Sequence, residues 1–197
     1  MGAGRQREFD KEDALDRAME LFWRDGYNGT SLSDLTAIMG INKPSLYAAF
    51  GNKEALFISA LNQYVKKHGT PHVSQLFAPN AHLKKRLQNY LKSLAKMLTD
   101  PTLPGGCFMT TSTCEARGHC LPSNALRTIT EINDATTNAL VGFFEKEAQQ
   151  GHLSTTSSPE VLANTLLTLQ FGLAVMARNG IKRNVLDKII DHSISIF

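Results

Sequence analysis

The stretch Leu32-Ser33-Asp34-Leu35-Thr36-Ala37-Ile38-Met39-Gly40-Ile41-Asn42-Lys43-Pro44-Ser45-Leu46-Tyr47-Ala48-Ala49-Phe50 carries the most specific pattern in the chain. Helical spacing puts Leu32, Leu35, Ile38 and Met39 on one face of a first helix, 32–39, and a second helix runs over 43–50. Gly40-Ile41 between them makes the turn, since a glycine just past the last periodic residue is a helix stop. Ile41, Leu46 and Phe50 then close on that apolar face together with Leu15, Ala18 and Phe22 from upstream. This leaves Asn42, Lys43, Ser45, Tyr47 and Ala48 on the outside. A bracing helix, a glycine turn and a second helix with a polar outer face have the spacing of a helix-turn-helix, whose second helix enters the major groove of DNA.

Outward from that stretch the chain keeps reading as helix. No segment sustains the period-2 alternation of a half-buried strand. Ser31 with Asp34 comes close to a capping box before the first helix of the pair, and Asp10 with Asp13 opens the helix before it. Ser158-Pro159 sets a cap and a first-turn proline, and Pro122 can start a long helix. Helices are predicted over 10–25, 32–39, 43–50, 52–68, 82–98, 107–117, 122–150, 159–178 and 182–196. Gly26, Gly40, Gly69, Gly151 and Gly180 follow five of these patterns, where a left-handed residue is wanted. The fold class is therefore all-α with about nine helices: an N-terminal three-helix domain with its connecting helix 52–68, and a C-terminal helical domain. The domains divide as 1–68 and 69–197, the two-proline segment Gly69–Ala81 being the expected joint.

Composition narrows the function classes. The 197 residues are 42% apolar and 20% charged, the balance of a soluble globular protein. Net charge is only +3, and residues 1–68 hold nine Lys/Arg against nine Asp/Glu. DNA binding would thus rest on placed cations and not on a general positive field. The N-terminus has no apolar run of a signal peptide. Three cysteines, an odd count, suit a reducing cytosol better than a disulfide scaffold. Residues 161–177 carry no charge, but Asn164, Thr165, Thr168 and Gln170 interrupt them and 17 residues fall short of a membrane span, so no membrane partner is expected and the protein is placed in the cytoplasm.

Ala14…Ala18…Leu21-Phe22…Gly26-Tyr27…Thr30-Ser31-Leu32…Leu35…Gly40-Ile41-Asn42-Lys43-Pro44-Ser45-Leu46-Tyr47…Phe50-Gly51-Asn52-Lys53-Glu54-Ala55-Leu56 resembles the DNA-binding domain of the TetR family of bacterial regulators. The match covers roughly residues 8–57, including the glycine turn, the Leu-Tyr pair and the Phe-x-x-Lys-x-x-Leu exit. The resemblance implies that Lys43–Phe50 is the recognition helix, with Lys43, Pro44, Ser45 and Tyr47 facing a pseudo-palindromic double-stranded operator. It further implies phosphate contacts from Thr30, Ser31 and Lys53. Independently, Ser31 presents a helix N-terminus, which suits an anion. Lys53 lies in the first turn of a helix, where the macrodipole disfavours a cation, so a phosphate would explain it. Arg5 and Arg7 form a basic arm suited to the minor groove. The departures are Pro44, tolerable in a first turn, and Ala49 where the family usually has His or Tyr.

The C-terminal half implies a homodimer and a pocket. Helix 159–178 is apolar almost all round, so it needs cover on every side, and a second copy supplies what one chain cannot. Leu162, Leu166, Leu169 and Leu173, with Leu186, Ile190 and Ile194 of the last helix, are the expected interface of a four-helix bundle. By resemblance, a cavity between helices would take an unknown small-molecule effector, with Tyr90, Cys107, Phe108, Met109, Phe143, Phe144 and Met176 as candidate lining. Cys107, Cys114 and Cys120, beside Arg117 and His119, match no zinc spacing, and no metal or other cofactor is expected. Cys107 and Cys114 are two turns apart on one predicted helix, a buried pair, and the cluster is read as small hydrophobes, a thiol sensor or a soft-metal site. No nucleophile elbow, metal-binding histidine pair or phosphate-cradling loop marks an enzyme. The expected function is a ligand-responsive repressor, set against a thiol- or metal-responsive one and a helical protein-interaction module.

Overall fold

The computed structural model describes residues 9–79, 81–116, 118, 121–153 and 156–197. Arg5, Arg7, Arg117, His119 and Cys120 lie outside these residues. The described chain is all helical: α1 Lys11–Gly29, α2 Leu32–Met39, α3 Lys43–Phe50, α4 Lys53–Tyr64, a π-helical turn Val65–Gly69, α5 Thr70–Val73, a 3-10 turn Ser74–Phe77, α6 Leu83–Leu98, α7 Phe108–Ala116, α8 Ser123–Gln149, α9 Pro159–Arg178 and α10 Arg183–Ser193.

Local chemistry starts and stops these helices. Asp10, Ser31, Asn42, Asn52 and Ser158 cap their helices with side-chain oxygens, each satisfying an amide donor the helix cannot. Gly40 ends α2 in the left-handed region at φ 67°, so its N–H and that of Ile41 reach back to the last carbonyls of α2. The expected joint Gly69–Ala81 is mostly helical instead. Gly69 has φ −98°, not the left-handed value expected of it, and Pro71 stands in the first turn of α5, where its missing N–H leaves no bond unmade.

Two buried clusters hold the helices. The first joins Phe22, Trp23, Leu35, Leu46, Phe57 and Leu61 of α1–α4 to Phe108 and Met109 of α7, to Leu121 just before α8, and to Ala125 and Ile129 in its first turns. Packing thus crosses residue 68: the helix-turn-helix core is completed by residues more than forty positions downstream. Trp23 is fully buried, packs edge to face with the rings of Tyr64 and His68, and donates its Nε1–H to Gly105 O at 3.1 Å. Truncating a buried ring of this size typically costs about 3–5 kcal/mol. The second cluster joins α6, α8, α9, α10 and Phe197. Across it Arg86 and Glu147 form a buried bidentate pair at 2.9 and 2.5 Å, with Arg86 also donating to Leu76 O. Burial would raise the Glu147 carboxyl, but hydrogen bonds from Arg86 and His152 outweigh it and hold it below the ordinary range.

α9 is long and apolar enough to cross a membrane by length and composition. It packs on α6 and α8. Leu162, Leu166, Leu173, Leu186 and Ile190, expected at a twofold interface, are instead buried in the subunit's own core, with Leu169 and Ile194 half-buried against it. An all-round apolar helix does not announce which side its own chain covers, and here the own chain takes the leucine stripe. The outward face of α9 carries Val161, Phe171 and Val175, 55%, 38% and 47% exposed.

Candidate nucleic-acid interface and effector cavity

Three helices bring the DNA-facing candidates together. Leu46 and Phe50 anchor α3 in the first core, and that choice of inner face turns Lys43, Pro44 and Tyr47 outward, all exposed, with Ser45 half-buried beside them. Asn42 Oδ1 accepts from Ser45 N at 2.8 Å and fixes the first turn of α3. Tyr47 is 48% exposed, free to meet a sugar-phosphate surface with both ring and hydroxyl.

The flanking candidates behave differently from one another. Thr30 is 2% exposed and its hydroxyl donates to Gly26 O at 2.7 Å, so its side chain closes the end of α1 and does not reach a phosphate. Ser31 is exposed, but its hydroxyl accepts from Asp34 N while its own N–H donates to the Asp34 carboxylate, a complete capping box. Those bonds hold the Asp34 carboxyl below its ordinary range, leaving a negative charge at that helix end. Lys53 is half-buried, its ammonium 4.1 Å from the centre of the Tyr27 ring. Burial pulls the ammonium down and Glu115 opposes this. The cation that looked misplaced in a first turn therefore has partners within the fold.

Glu115 carries no sequence signal. From α7 its carboxylate accepts from Tyr27 N at 3.1 Å, where α1 breaks at Gly26 with φ 74°. A Cβ at Gly26 would stand 2.1 Å from Glu115 Oε1, so the glycine is required twice, by conformation and by contact. Arg178 adds a second tie, donating to Trp23 O and Arg24 O. The helix-turn-helix is thus clamped to α7 and α9 through backbone groups of α1.

Behind it lies a cavity of about 590 Å³, within the range of small-molecule sites. Its walls are Tyr64, His68 and Val73 from the end of α4 onward, Tyr90, Leu94 and Met97 of α6, Cys107, Met109, Thr110 and Thr113 at α7, residues of α8 from Ile132 to Phe143, and Leu167, Gln170, Phe171 and Ala174 of α9. Of the candidate lining, Tyr90, Cys107, Met109 and Phe143 are on this wall. Phe108 and Phe144 are instead wholly buried, Phe108 against Phe57 and Tyr64, Phe144 against Phe143 and Phe197, and Met176 packs into the second core. Large rings at helical spacing went to plain core, as they commonly do.

Tyr64 donates its hydroxyl to Cys107 Sγ at 3.2 Å, and burial raises its phenol well above the ordinary value. Burial pushes the Tyr90 phenol up to about 12. His68 is pulled down by burial, with Asp16 opposing. Cys107 is half-buried and Cys114 exposed, so the two do not form the expected buried pair. Among the described residues no three His, Cys, Asp or Glu side chains cluster as a metal site.

The sequence matches the family model described as bacterial regulatory proteins, tetR family, over residues 14–60. A second model, tetracyclin repressor-like C-terminal domain, matches residues 84–192. The chain belongs to the TetR family. It is 42% identical over 106 residues to the HTH-type transcriptional repressor ComR of Escherichia coli, a match spanning 54% of this chain and 50% of ComR. It is 30% identical to the uncharacterized HTH-type transcriptional regulator YezE of Bacillus subtilis over 98% of both chains. Among solved structures, the TetR family regulator CifR, a cysteine mutant complexed with 26-bp double-strand operator DNA, superposes with a TM-score of 0.79 at 31% identity, covering 97% of this chain and 98% of that one. The relatives are transcriptional regulators, and this TetR-family chain is a DNA-binding regulator, not an enzyme.

Proposed function

We propose that this TetR-family protein is a repressor that holds a pseudo-palindromic operator as a twofold homodimer and lets go when a small molecule fills the cavity. In this reading residues 1–68 read DNA and residues 69–197 bind effector and partner, in the cytoplasm. Lys43, Pro44, Ser45 and Tyr47 face the groove. Ser31 and Lys53 lie at its phosphate edges, and Arg5 and Arg7 serve the minor groove. Two recognition helices about 34–36 Å apart meet successive major grooves, which one copy cannot do. The observation that carries effector control is the wall formed by Tyr64 and His68: the helix that leaves α3 ends in the cavity. A ligand that binds better when that end has moved lowers the share of DNA-competent molecules, and about 10⁴-fold preference nearly inverts the population.

Fluorescence anisotropy on duplexes from the DNA flanking the protein's own gene tests this. One duplex should bind tightly with salt-dependent affinity, and Lys43→Ala and Tyr47→Ala should weaken it. Equal affinity for every duplex, wild type and variants alike, would refute sequence-specific repression.

A second reading has one observation in its favour. Cys107 stands in the cavity wall and accepts a hydrogen bond from Tyr64, so thiol modification there would also disturb the end of α4. Diamide should then release the operator from wild type and not from Cys107→Ser; release from both, or from neither, removes Cys107 from the switch.

A further inference from the structure

The cavity wall has two properties that its shape does not require. It presents no Lys, Arg, Asp or Glu among the described residues, and most of its threonine and asparagine side chains are already committed. The hydroxyls of Thr113, Thr136, Thr137 and Thr168 each donate to the carbonyl four residues earlier in their own helices. Tyr64 is committed to Cys107. Gln170 Nε2, on α9, is buried without a hydrogen bond of good geometry, although the amide lies close enough to the Tyr90 hydroxyl to act on that phenol. A buried amide without a well-formed hydrogen bond costs free energy, which an occupant offering an acceptor would recover.

We infer that the cavity takes an uncharged, largely hydrocarbon molecule carrying one oxygen acceptor, a ketone, aldehyde or ester, with that oxygen seated on Gln170. This rests on the cavity being the effector site. Burial disfavours charge on the titratable rings of the wall, lowering the imidazole of His68 and raising the phenols of Tyr64 and Tyr90. A carboxylate or ammonium entering here would shed its water and meet no counter-charge, the costliest kind of burial. Hydrocarbon meets Leu94, Met97, Leu140, Phe143 and Leu167.

Three probes of one size separate the possibilities: 2-acetylnaphthalene, 2-naphthoate and 2-naphthylmethylammonium, titrated into the full chain by calorimetry and by thermal shift. The ketone should bind about 100-fold or more tightly than either ion. Gln170→Leu should weaken the ketone about 3- to 10-fold. Gln170→Glu should transfer preference to the ammonium, which keeps the inference testable if the leucine variant folds poorly. Binding of either ion as tightly as the ketone, no binding of the ketone at 1 mM, or a ketone affinity indifferent to Gln170 would overturn it. Operator affinity is read separately. Ketone binding that leaves operator affinity unchanged supports the chemical class and removes the effector role.

Discussion

Lys53 shows how one residue can answer to two demands. Its ammonium sits on the Tyr27 ring with Glu115 near, yet it remains at the start of α4 beside the recognition helix. If it also meets a phosphate, Lys53→Ala should weaken binding to all sequences alike and lower the slope of log affinity against log salt by about one. Lost thermal stability with an unchanged slope would assign Lys53 to the Tyr27–Glu115 contact alone. Gly26 makes a sharper prediction. Gly26→Ala must hold a Cβ at φ 74° and displace the Glu115 carboxylate, so it should lower stability to urea by about 1–3 kcal/mol. Glu115→Ala added to it should relieve the contact and leave the backbone strain; a double variant as stable as Glu115→Ala alone would deny that strain.

Among the elements, the run from α4 to α5 departs most from expectation. The sequence predicts a connecting helix over 52–68; the chain instead widens into a π turn at Val65–Gly69 and continues helically through Phe77. π turns within helices are uncommon and often mark functional positions. Here the turn brings His68 against Trp23 and Tyr64, and His72 Nδ1 within 2.7 Å of Ser93 Oγ. Burial lowers both imidazoles below their ordinary 6.5, with Asp16 opposing at His68 and a backbone hydrogen bond opposing at His72. The unfolded chain therefore takes up protons first as pH falls. This part of the stability is complete above pH 6.5 and declines below it. The melting temperature should drop between pH 7.5 and 5.5 in calorimetry, and less so in the double variant His68→Gln, His72→Gln. Equal drops would place the acid sensitivity outside this turn.

Across the whole molecule, the two cores are joined by α8, with Met97 and Cys107 packed against both, and the ties from Glu115, Arg178 and Gly105 run from the cavity side to α1. Nothing in that arrangement behaves as a loose linker between independent halves. The outward face of α9, with Val161, Phe171 and Val175, is what a second copy would cover. Val161→Asp combined with Val175→Asp, neither in the cavity wall, should yield a monomer in analytical ultracentrifugation at micromolar concentration, with helical content intact and operator affinity sharply reduced. Leu166→Ala, in the interior, should instead lower stability by about 2–5 kcal/mol. A double aspartate variant that stays dimeric would move the partner to another face.

Much of this protein is written locally. The caps at Ser31, Asn42 and Asn52, the left-handed stop at Gly40 and the spacing of Leu35, Leu46 and Phe50 are short-range chemistry, so helices 32–39 and 43–50 and the outward set Lys43, Tyr47 follow from neighbours a few residues apart. The polar outer face of α3 is legible because a helix pattern shows which side is apolar. It fails where a helix is apolar all round, as in α9, and where aromatic rings serve core and cavity alike, as with Phe108 and Phe143. Glu115 at Gly26, Thr30 folded back on α1, Tyr64 on Cys107 and the buried amide of Gln170 beside Tyr90 depend on groups tens of residues apart or on a side chain's choice among partners. Those choices arise when the helices pack, since packing sets which faces meet and which polar groups are left facing empty space.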